Sequence, residues 1–268
     1  MRSRIHRAKQ YRSVIPGVGS MMFVSNHHFP RHSHDQFGAG VIASGGQRSW
    51  SGIGTVRASA GDVIMVNPCE MHDGEPLDGF AREWRIIYLD PAVVSSETDE
   101  EFRGPSEIVR PVARDPLLAT LLTELFDSLV GAHSDSLERE ENLLRSMICL
   151  FRRHGMAKFT ATGSSPSVTR AIKFIDSAPE RHVSLAELAA LSGVSRFQLL
   201  RGFSREVGIT PHAYIIQRRV NLAQRFLADG QTAAEAATQA GFADQSHMTR
   251  AFVRQVGVTP GCYRAAVA

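Results

Sequence analysis

The sequence predicts an α+β protein of more than one domain, with an N-terminal β-barrel and trailing helices followed by an all-helical domain with two helix-turn-helix units. Three observations lead to this prediction. The hydrophobic period changes near residue 115, positive charge concentrates in the last hundred residues, and one helical segment occurs twice. A chain of 268 residues with 43% hydrophobic side chains has enough apolar material for two cores.

The first half of the chain has the pattern of short strands. Runs rich in Val, Ile, Phe and Trp, separated by glycines, occupy residues 21–25, 37–43, 48–52, 61–67 and 83–89. Short apolar runs between turn residues are typical of strands, and several in succession indicate a sandwich or barrel.

Two amphipathic helices are predicted after the strands, at residues 116–130 and 136–151, where apolar residues recur every three or four positions. One stripe of the second helix contains Leu137, Leu144, Ile148 and Phe151. This stripe either covers the end of the barrel or pairs with a second subunit.

A stretch rich in Ser, Pro and Gly at residues 160–167 suggests a linker. We therefore expect a β-barrel domain with its trailing helices at 1–158, a linker at 159–167 and a helical domain at 168–268. From Pro166 onward there are 12 Lys and Arg against 7 Asp and Glu, whereas the preceding part has 18 against 20. A positive charge confined to one domain is expected of a module that binds nucleic acid.

Several classes of protein are disfavoured. No apolar run approaches the roughly 20 residues of a membrane-spanning helix, and the basic start lacks the apolar stretch of a secretory signal, so a cytoplasmic protein is expected. The cysteines, Cys69, Cys149 and Cys262, form no CxxC pair. No GxSxG or P-loop motif occurs, so neither an enzyme nor a cofactor is predicted.

The repeat is the strongest signal in the sequence. Residues 186–214 resemble residues 234–263: Glu187 and Gly193 recur 48 positions later, whereas Arg201, Phe203 and Pro211 recur 49 positions later. One residue has therefore been added in the second turn. Each copy has the order helix, glycine turn, helix and Gly-x-Thr-Pro, which is the helix-turn-helix layout.

Helical periodicity assigns the faces of the second helix in each copy. The faces predicted to be buried carry Leu199, Leu200, Phe203 and Val207, and then Met248, Thr249, Phe252 and Val256. The opposite faces carry Phe197, Gln198, Arg201 and Arg205, and then Ser246, His247, Arg250 and Arg254. Exposed arginines at equivalent positions predict contacts with guanine or phosphate, although an isolated arginine is usually only part of a soluble face.

Other residues of these helices leave alternatives open. Gln198 could pair with adenine, and His247 could donate or accept a hydrogen bond. Phe197 either contacts a thymine methyl group or packs at the helix start. On the helix between the copies, about residues 211–227, we expect a solvated face or phosphate contacts for Arg218, Arg219 and Arg225.

Residues 168–268 resemble the DNA-binding domain of the AraC/XylS family of bacterial transcription regulators, above all in the segments GITPHAYIIQRRVNLAQRFL and AAEAATQAGFADQSHMTRAFVRQVGVTPGCYR. The resemblance implies two recognition helices that enter successive major-groove segments of promoter DNA. It also implies that the residues nearest the bases are Phe197, Leu200, Arg201, Gln245, Ser246, His247 and Arg250.

The N-terminal half resembles that family's cupin-like effector domain, in FPRHSHDQF, AGDVIMVNPCEMHDG and EWRIIYL. The resemblance implies a small-molecule effector in the barrel, a homodimer formed through the helices that follow it, and recruitment of RNA polymerase. The first twelve residues, with several arginines and Lys9, form either an arm over the ligand or a frayed terminus.

Effector-binding candidates facing into the barrel are His32, His34, Trp50, Glu70, His72, Trp84 and Arg85. Strand alternation excludes either Trp84 or Arg85. His32, His34 and His72 could also bind a metal. Gly38 and Ala39 stand where a metal-binding cupin has a carboxylate, so no metal is favoured. The leading hypothesis is a ligand-responsive, sequence-specific transcription regulator, and the alternative is a metal-dependent cupin enzyme with a DNA-binding module.

Overall fold

The computed structural model describes residues 5–95, 106–131, 136–157 and 165–267. The chain forms two compact units, one up to residue 158 and one from residue 159, and each is described by itself. Most of the predicted linker lies outside the described residues. Where the description resumes, Ser165 precedes a helix that begins at Pro166, slightly earlier than the sequence pattern suggested.

The first unit contains two antiparallel sheets and a short ribbon. The larger sheet has, in spatial order, β1 (His6–Ile15), β2 (Val18–Ser25), β9 (Arg82–Leu89), β4 (Phe37–Ser44), β7 (Val63–Val66) and β11 (Val112–Ala113). The smaller sheet has β3 (Phe29–His32), β8 (His72–Pro76), β5 (Gly46–Ser51) and β6 (Gly54–Ser59). The ribbon pairs β10 (Ser106–Ile108) with β12 (Gly155–Ala157). The prediction of a β-rich first half is thereby confirmed.

The two faces of the larger sheet have different environments. Along β9, Ile87 and Leu89 belong to a hydrophobic core shared with the helices Pro116–Val130 and Ser136–His154. Arg85 pairs with Asp127 on the first of these helices. Because side chains alternate along a strand, Trp84 and Tyr88 lie on the opposite face. Strand alternation thus selects Trp84 over Arg85 as the residue that faces away from the helices.

Two helices follow the strands: α1 (Pro116–Val130) packs on the larger sheet, and α2 (Ser136–His154) packs against α1 and the β10–β12 ribbon. The carboxylate of Asp115 caps α1 by accepting a hydrogen bond from the backbone N–H of Leu118 at 3.2 Å. In the stripe singled out on α2, Phe151 is buried in the core, whereas Leu137 and Leu144 are 70% and 36% exposed. The stripe therefore covers the sheet only near its C-terminal end.

The N-terminal segment differs from both interpretations of the sequence. Residues from His6 onward form β1, which pairs with β2 from His6 opposite Ser25 to Ile15 opposite Val18. Arg2 and Arg4 lie outside the described residues. Every described side chain of β1 is at least partly exposed, so the strand lacks the apolar run by which the other strands were recognised.

The second unit is all-helical, as predicted. Its helices are α3 (Pro166–Ser177), α4 (Leu185–Ser192), α5 (Arg196–Val207), α6 (Pro211–Ala228), α7 (Ala233–Gln239), α8 (Gln245–Val256) and α9 (Pro260–Val267). The pairs α4–α5 and α7–α8 form the two helix-turn-helix units, and α6 joins them. In the described part of the chain, none of the helices combines the length and apolar character that a membrane span needs.

The structure confirms the repeat in detail. Helices α5 and α8 both have 12 residues and end at Gly208 and Gly257, which have φ of 84° and 87°. This left-handed conformation suits glycine at the end of a helix. In both units an aromatic pair packs edge to face behind the second helix, at ring separations of 5.5 and 5.4 Å.

Candidate nucleic-acid interface and ligand site

The second helix of each helix-turn-helix unit is anchored by buried residues and carries exposed arginines. Leu199 and Phe203 anchor α5, and Met248 and Phe252 anchor α8, each at most 1% exposed. Among the predicted DNA-contacting residues, the structure leaves these exposed: Gln198, Arg201, Arg205, Gln245, Ser246, Arg250 and Arg254. His247 is half-buried. The arginines at equivalent positions are thus exposed on equally well anchored helices in the two copies.

Gln198 is engaged in the cap of its own helix. Its side-chain oxygen accepts a hydrogen bond from the backbone N–H of Ser195 at 2.9 Å, and its own backbone N–H donates to the Ser195 hydroxyl at 3.2 Å. This reciprocal pair is a capping box. A bidentate contact with adenine uses both polar atoms of the amide, so Gln198 can make that contact only by breaking the cap.

Helix α8 is capped differently. The carboxylate of Asp244 accepts a hydrogen bond from the backbone N–H of His247 at 2.6 Å, without the reciprocal bond that completes a capping box. The imidazole of His247 lies edge to face against Phe242, with ring centroids 5.3 Å apart. The equivalent positions in the two units are therefore chemically distinct.

One assignment of helix faces was wrong. Periodicity placed Leu200 on the buried side of α5, but it is 38% exposed. Leu200 lies 100° around the helix from Leu199, at the edge of the buried arc rather than within it. The side chain of Phe197 lies outside the described residues.

The arginines on α6 divide into different roles. Arg219 was expected on a solvated face or at a phosphate, but it is 6% exposed, and its guanidinium donates to the carbonyl oxygens of Pro179 and Arg181 at 2.8 and 3.1 Å. It therefore ties the segment after α3 to α6. Arg218 forms an ion pair with Asp176 at 2.9 Å, whereas Arg225 is exposed.

A second cluster of functional interest lies in the first unit, where three histidines meet. His32 on β3 is directly opposite His72 on β8, and their ring centroids are 4.4 Å apart. His34 follows the end of β3 rather than lying on it, and its ring is 5.1 Å from that of His72. The structure thus brings together the three histidines that the sequence singled out.

The backbone fixes the tautomer of each imidazole. Nδ1 of His32, His34 and His72 lies 2.7, 2.8 and 2.9 Å from the carbonyl oxygens of Pro30, Gln36 and Glu70. Because a carbonyl oxygen can only accept, each Nδ1 carries the proton. Each Nε2 then keeps its lone pair for a ligand.

The environment keeps these rings uncharged. Burial, followed by repulsion from a neighbouring imidazole, lowers the pKa of His32 and of His72 to about 3 and that of His34 to about 4. Tyr88 contacts His34 edge to face at 5.0 Å, and burial raises its pKa above the usual range. At neutral pH the cluster therefore offers neutral imidazoles and a protonated phenol.

A buried arginine lies on the same face of β9 as Trp84 and Tyr88. Arg82 is 1% exposed and donates to the side-chain oxygen of Gln47 at 3.0 Å and to the carbonyl oxygen of Gly74 at 3.2 Å. Its guanidinium also lies 4.7 Å from the ring of Trp84. Periodicity did not single out Arg82, and a lone arginine at the start of a strand carries no signal of burial.

The other effector candidates do not join the histidines. Trp50 stacks under Arg31 at 3.9 Å, and its neighbours on β5, Ser49 and Ser51, are buried on the opposite face. The carboxylate of Glu70 accepts hydrogen bonds from the backbone and side chain of Asn67. Arg85 faces α1. The structure therefore does not bring these three residues together with the histidines.

The metal alternative receives no support from this geometry. Among the described residues, no group of three histidine, cysteine or acidic side chains is arranged to hold a metal ion. At Gly38, which stands where a metal-binding cupin has a carboxylate, an added Cβ would lie 2.8 Å from Cγ1 of Val66 and 3.5 Å from Cε1 of His34.

Comparison with known proteins gives both units a class. Residues 24–147 match the model of an AraC-like ligand binding domain, and residues 188–266 match that of a helix-turn-helix domain. The chain is 32% identical to YbfI of Bacillus subtilis (strain 168), an uncharacterized HTH-type transcriptional regulator, over 82% of this chain and 81% of that protein. It is 27% identical to the probable transcriptional regulator LumQ of Photobacterium leiognathi, over 67% of this chain and 70% of that protein.

The fold also has a counterpart among solved structures. The crystal structure of ToxT from Vibrio cholerae O395 aligns with a TM-score of 0.54 and 11% identity, over 99% of this chain and 98% of that chain. The two family-model matches and the similarity to YbfI define a ligand-responsive, sequence-specific DNA-binding transcription regulator. The chain belongs to the AraC/XylS family.

Proposed function

We propose that this chain acts as a cytoplasmic homodimer that binds promoter DNA through α5 and α8 and a small molecule at the histidine cluster. The observation that carries the proposal is the pair of exposed, equivalent arginines, Arg201 and Arg250, each on a helix anchored by fully buried residues. Recognition of guanine or phosphate requires an exposed guanidinium on a helix that is held rigidly by its buried side chains.

The two helices contribute different contacts. Arg201 and Arg250 contact base edges or phosphates, and Arg254 adds positive charge at the end of α8. Arg205 forms an ion pair with Glu206 at 2.8 Å, and part of its interaction with a phosphate would be offset by loss of this exposed pair. Gln245 and Ser246 are exposed in the first turn of α8, where they can reach a base or a phosphate.

The ligand site is built from His32, His34 and His72. Their Nε2 atoms accept hydrogen bonds from the effector, because each Nδ1 is already bonded to the backbone. The phenol of Tyr88 supplies a donor beside them. Effector binding shifts the equilibrium between states of the regulator that differ in affinity for promoter DNA.

Dimerisation uses α2. Leu137 and Leu144 are exposed apolar residues two turns apart on one helix, the spacing at which two helices pair. The bound dimer recruits RNA polymerase to activate transcription or excludes it to repress.

DNA selection with the purified full-length protein tests this proposal. A library with a randomised segment should yield an enriched operator bound far more tightly than random DNA, with affinity falling linearly in log–log form as salt rises. Equal affinity for enriched and random DNA, or an affinity independent of salt, would contradict the proposal.

A further inference from the structure

The turn of the second helix-turn-helix unit is longer than that of the first. In the first turn Gly193 adopts φ of 70°, the N–H of Val194 donates to the carbonyl of Ala189 at 3.1 Å, and Ser195 then caps α5. The second turn keeps this geometry at Gly241 and Phe242. One further residue, Ala243, then precedes the cap at Asp244.

The two turns place different side chains before the recognition helix. Phe242 is 6% exposed, so the protein interior fixes its ring. Its counterpart, Val194, has no ring. Phe242 meets His247 with an interplanar angle of 87°, and an edge-to-face contact of this kind favours one orientation of both rings.

The cap leaves the imidazole of His247 available. Only the backbone N–H of His247 bonds to the capping carboxylate, whereas the equivalent residue, Gln198, uses its side-chain oxygen in the cap. In the part of the chain that the structure describes, no hydrogen bond involves a ring nitrogen of His247. An oriented ring with available nitrogens loses less freedom on contacting a base edge than a mobile one.

We infer that Phe242 is a positioning residue that orients the imidazole of His247 for a base contact, so that the second helix-turn-helix unit has a base preference at the position of His247 for which the first helix-turn-helix unit has no counterpart. This inference rests on the proposed binding of DNA through α8. Phe242 itself touches no base and acts through His247.

The test is DNA selection followed by sequencing, which gives the base preference at each operator position for the full-length protein and its variants. His247→Ala should abolish the preference at one base-pair position. Phe242→Leu, which keeps an apolar side chain but removes the ring, should weaken that preference about 2- to 10-fold. Phe242→Leu in the His247→Ala background should produce no further change at that position.

Two further variants separate positioning from folding. Phe242→Tyr keeps the ring and should retain the wild-type preference. Phe252→Leu removes another buried ring of the second helix-turn-helix unit, one that packs against Tyr263. It should weaken binding without changing the base preference at that position.

The outcomes distinguish the inference from the proposal on which it rests. No sequence preference in the wild-type protein would refute the proposed function. A wild-type preference that His247→Ala leaves intact would overturn the inference. So would a Phe242→Leu variant that, like Phe252→Leu, binds more weakly but keeps the wild-type preference at that position, or one whose preference is weakened equally at every position.

Discussion

The histidine cluster makes the stability of the first unit depend on pH in a defined direction. The pKa values of His32, His34 and His72 in the folded chain are about 3, 4 and 3, below the value of about 6.5 in an unfolded chain. Between these limits the unfolded chain binds more protons. The contribution of these histidines to the free energy of unfolding is therefore complete above about pH 6.5 and is lost progressively as the pH falls.

The magnitude follows from the same linkage. Between pH 7.0 and 5.5 each histidine that protonates only on unfolding costs about 1.2 kcal/mol. Three such groups set an upper bound of about 4 kcal/mol, and solvent that reaches the half-buried rings reduces it. Carboxylates contribute little in this range, since the pKa of Asp115, for example, is held near 2 by hydrogen bonds from Arg153 and His154 that outweigh the effect of burial.

Tryptophan fluorescence during urea unfolding measures this effect, because both tryptophans of the chain, Trp50 and Trp84, are in the first unit. We expect the free energy of unfolding to fall between pH 7.0 and 5.5, and His72→Gln to reduce that fall by about a third. The matched control is His28→Gln, at an exposed histidine outside the cluster. A wild-type stability that does not change over this range, or a slope unaffected by His72→Gln, would refute the reasoning.

Three further predictions concern other contacts. Gln198→Ala should cost about 1 kcal/mol of helix stability by circular dichroism with base preferences unchanged, and an altered preference would restore Gln198 as a base reader. Asp115→Asn should lower the free energy of unfolding by about 2 kcal/mol, measured by tryptophan fluorescence. Asp127→Asn, at an exposed ion pair, should lower it by less than about 1 kcal/mol, and equal losses would contradict this prediction. Leu137→Glu combined with Leu144→Glu should convert the proposed dimer to a monomer in sedimentation with folding intact, and a dimer that persists in this variant would exclude this surface.

The parts of the fold that were predictable are those with a repeated local signal. The helix-turn-helix units combine periodicity, turn glycines and Gly-x-Thr-Pro ends, and these independent signals agree. The strand β1 lacked such a signal, because a strand without fully buried side chains carries little apolar pattern. The strands predicted from the sequence therefore begin at β2.

The candidate site was predictable only where a residue type already implies a chemistry. The three histidines were found because two of them stand two residues apart and a third follows the strand-like run at residues 61–67. The orientation of Trp50 was not found, because the short β5 run does not show which of its faces is buried. Arg219 was assigned to the surface because burial of an arginine depends on carbonyl partners from a distant segment.

The inequivalence of the two helix-turn-helix units is another result that sequence similarity conceals. The repeat places Gln198 and His247 at the same position, and similarity predicts the same role for both. The structure shows that the cap engages the side-chain oxygen of Gln198 but only the backbone N–H of His247. A glutamine in a capping box and a histidine above an aspartate cap are therefore not interchangeable readers.

We propose above that Arg201 and Arg250 recognise DNA. The decisive experiment measures the affinity of Arg201→Ala and Arg250→Ala for the selected operator and for random DNA, by fluorescence anisotropy at one salt concentration. Arg57→Ala, at an exposed arginine of the first unit, controls for the change in net charge. We expect each variant to lose about 1 to 3 kcal/mol on the operator and less on random DNA. Losses no larger than that of Arg57→Ala would contradict the account.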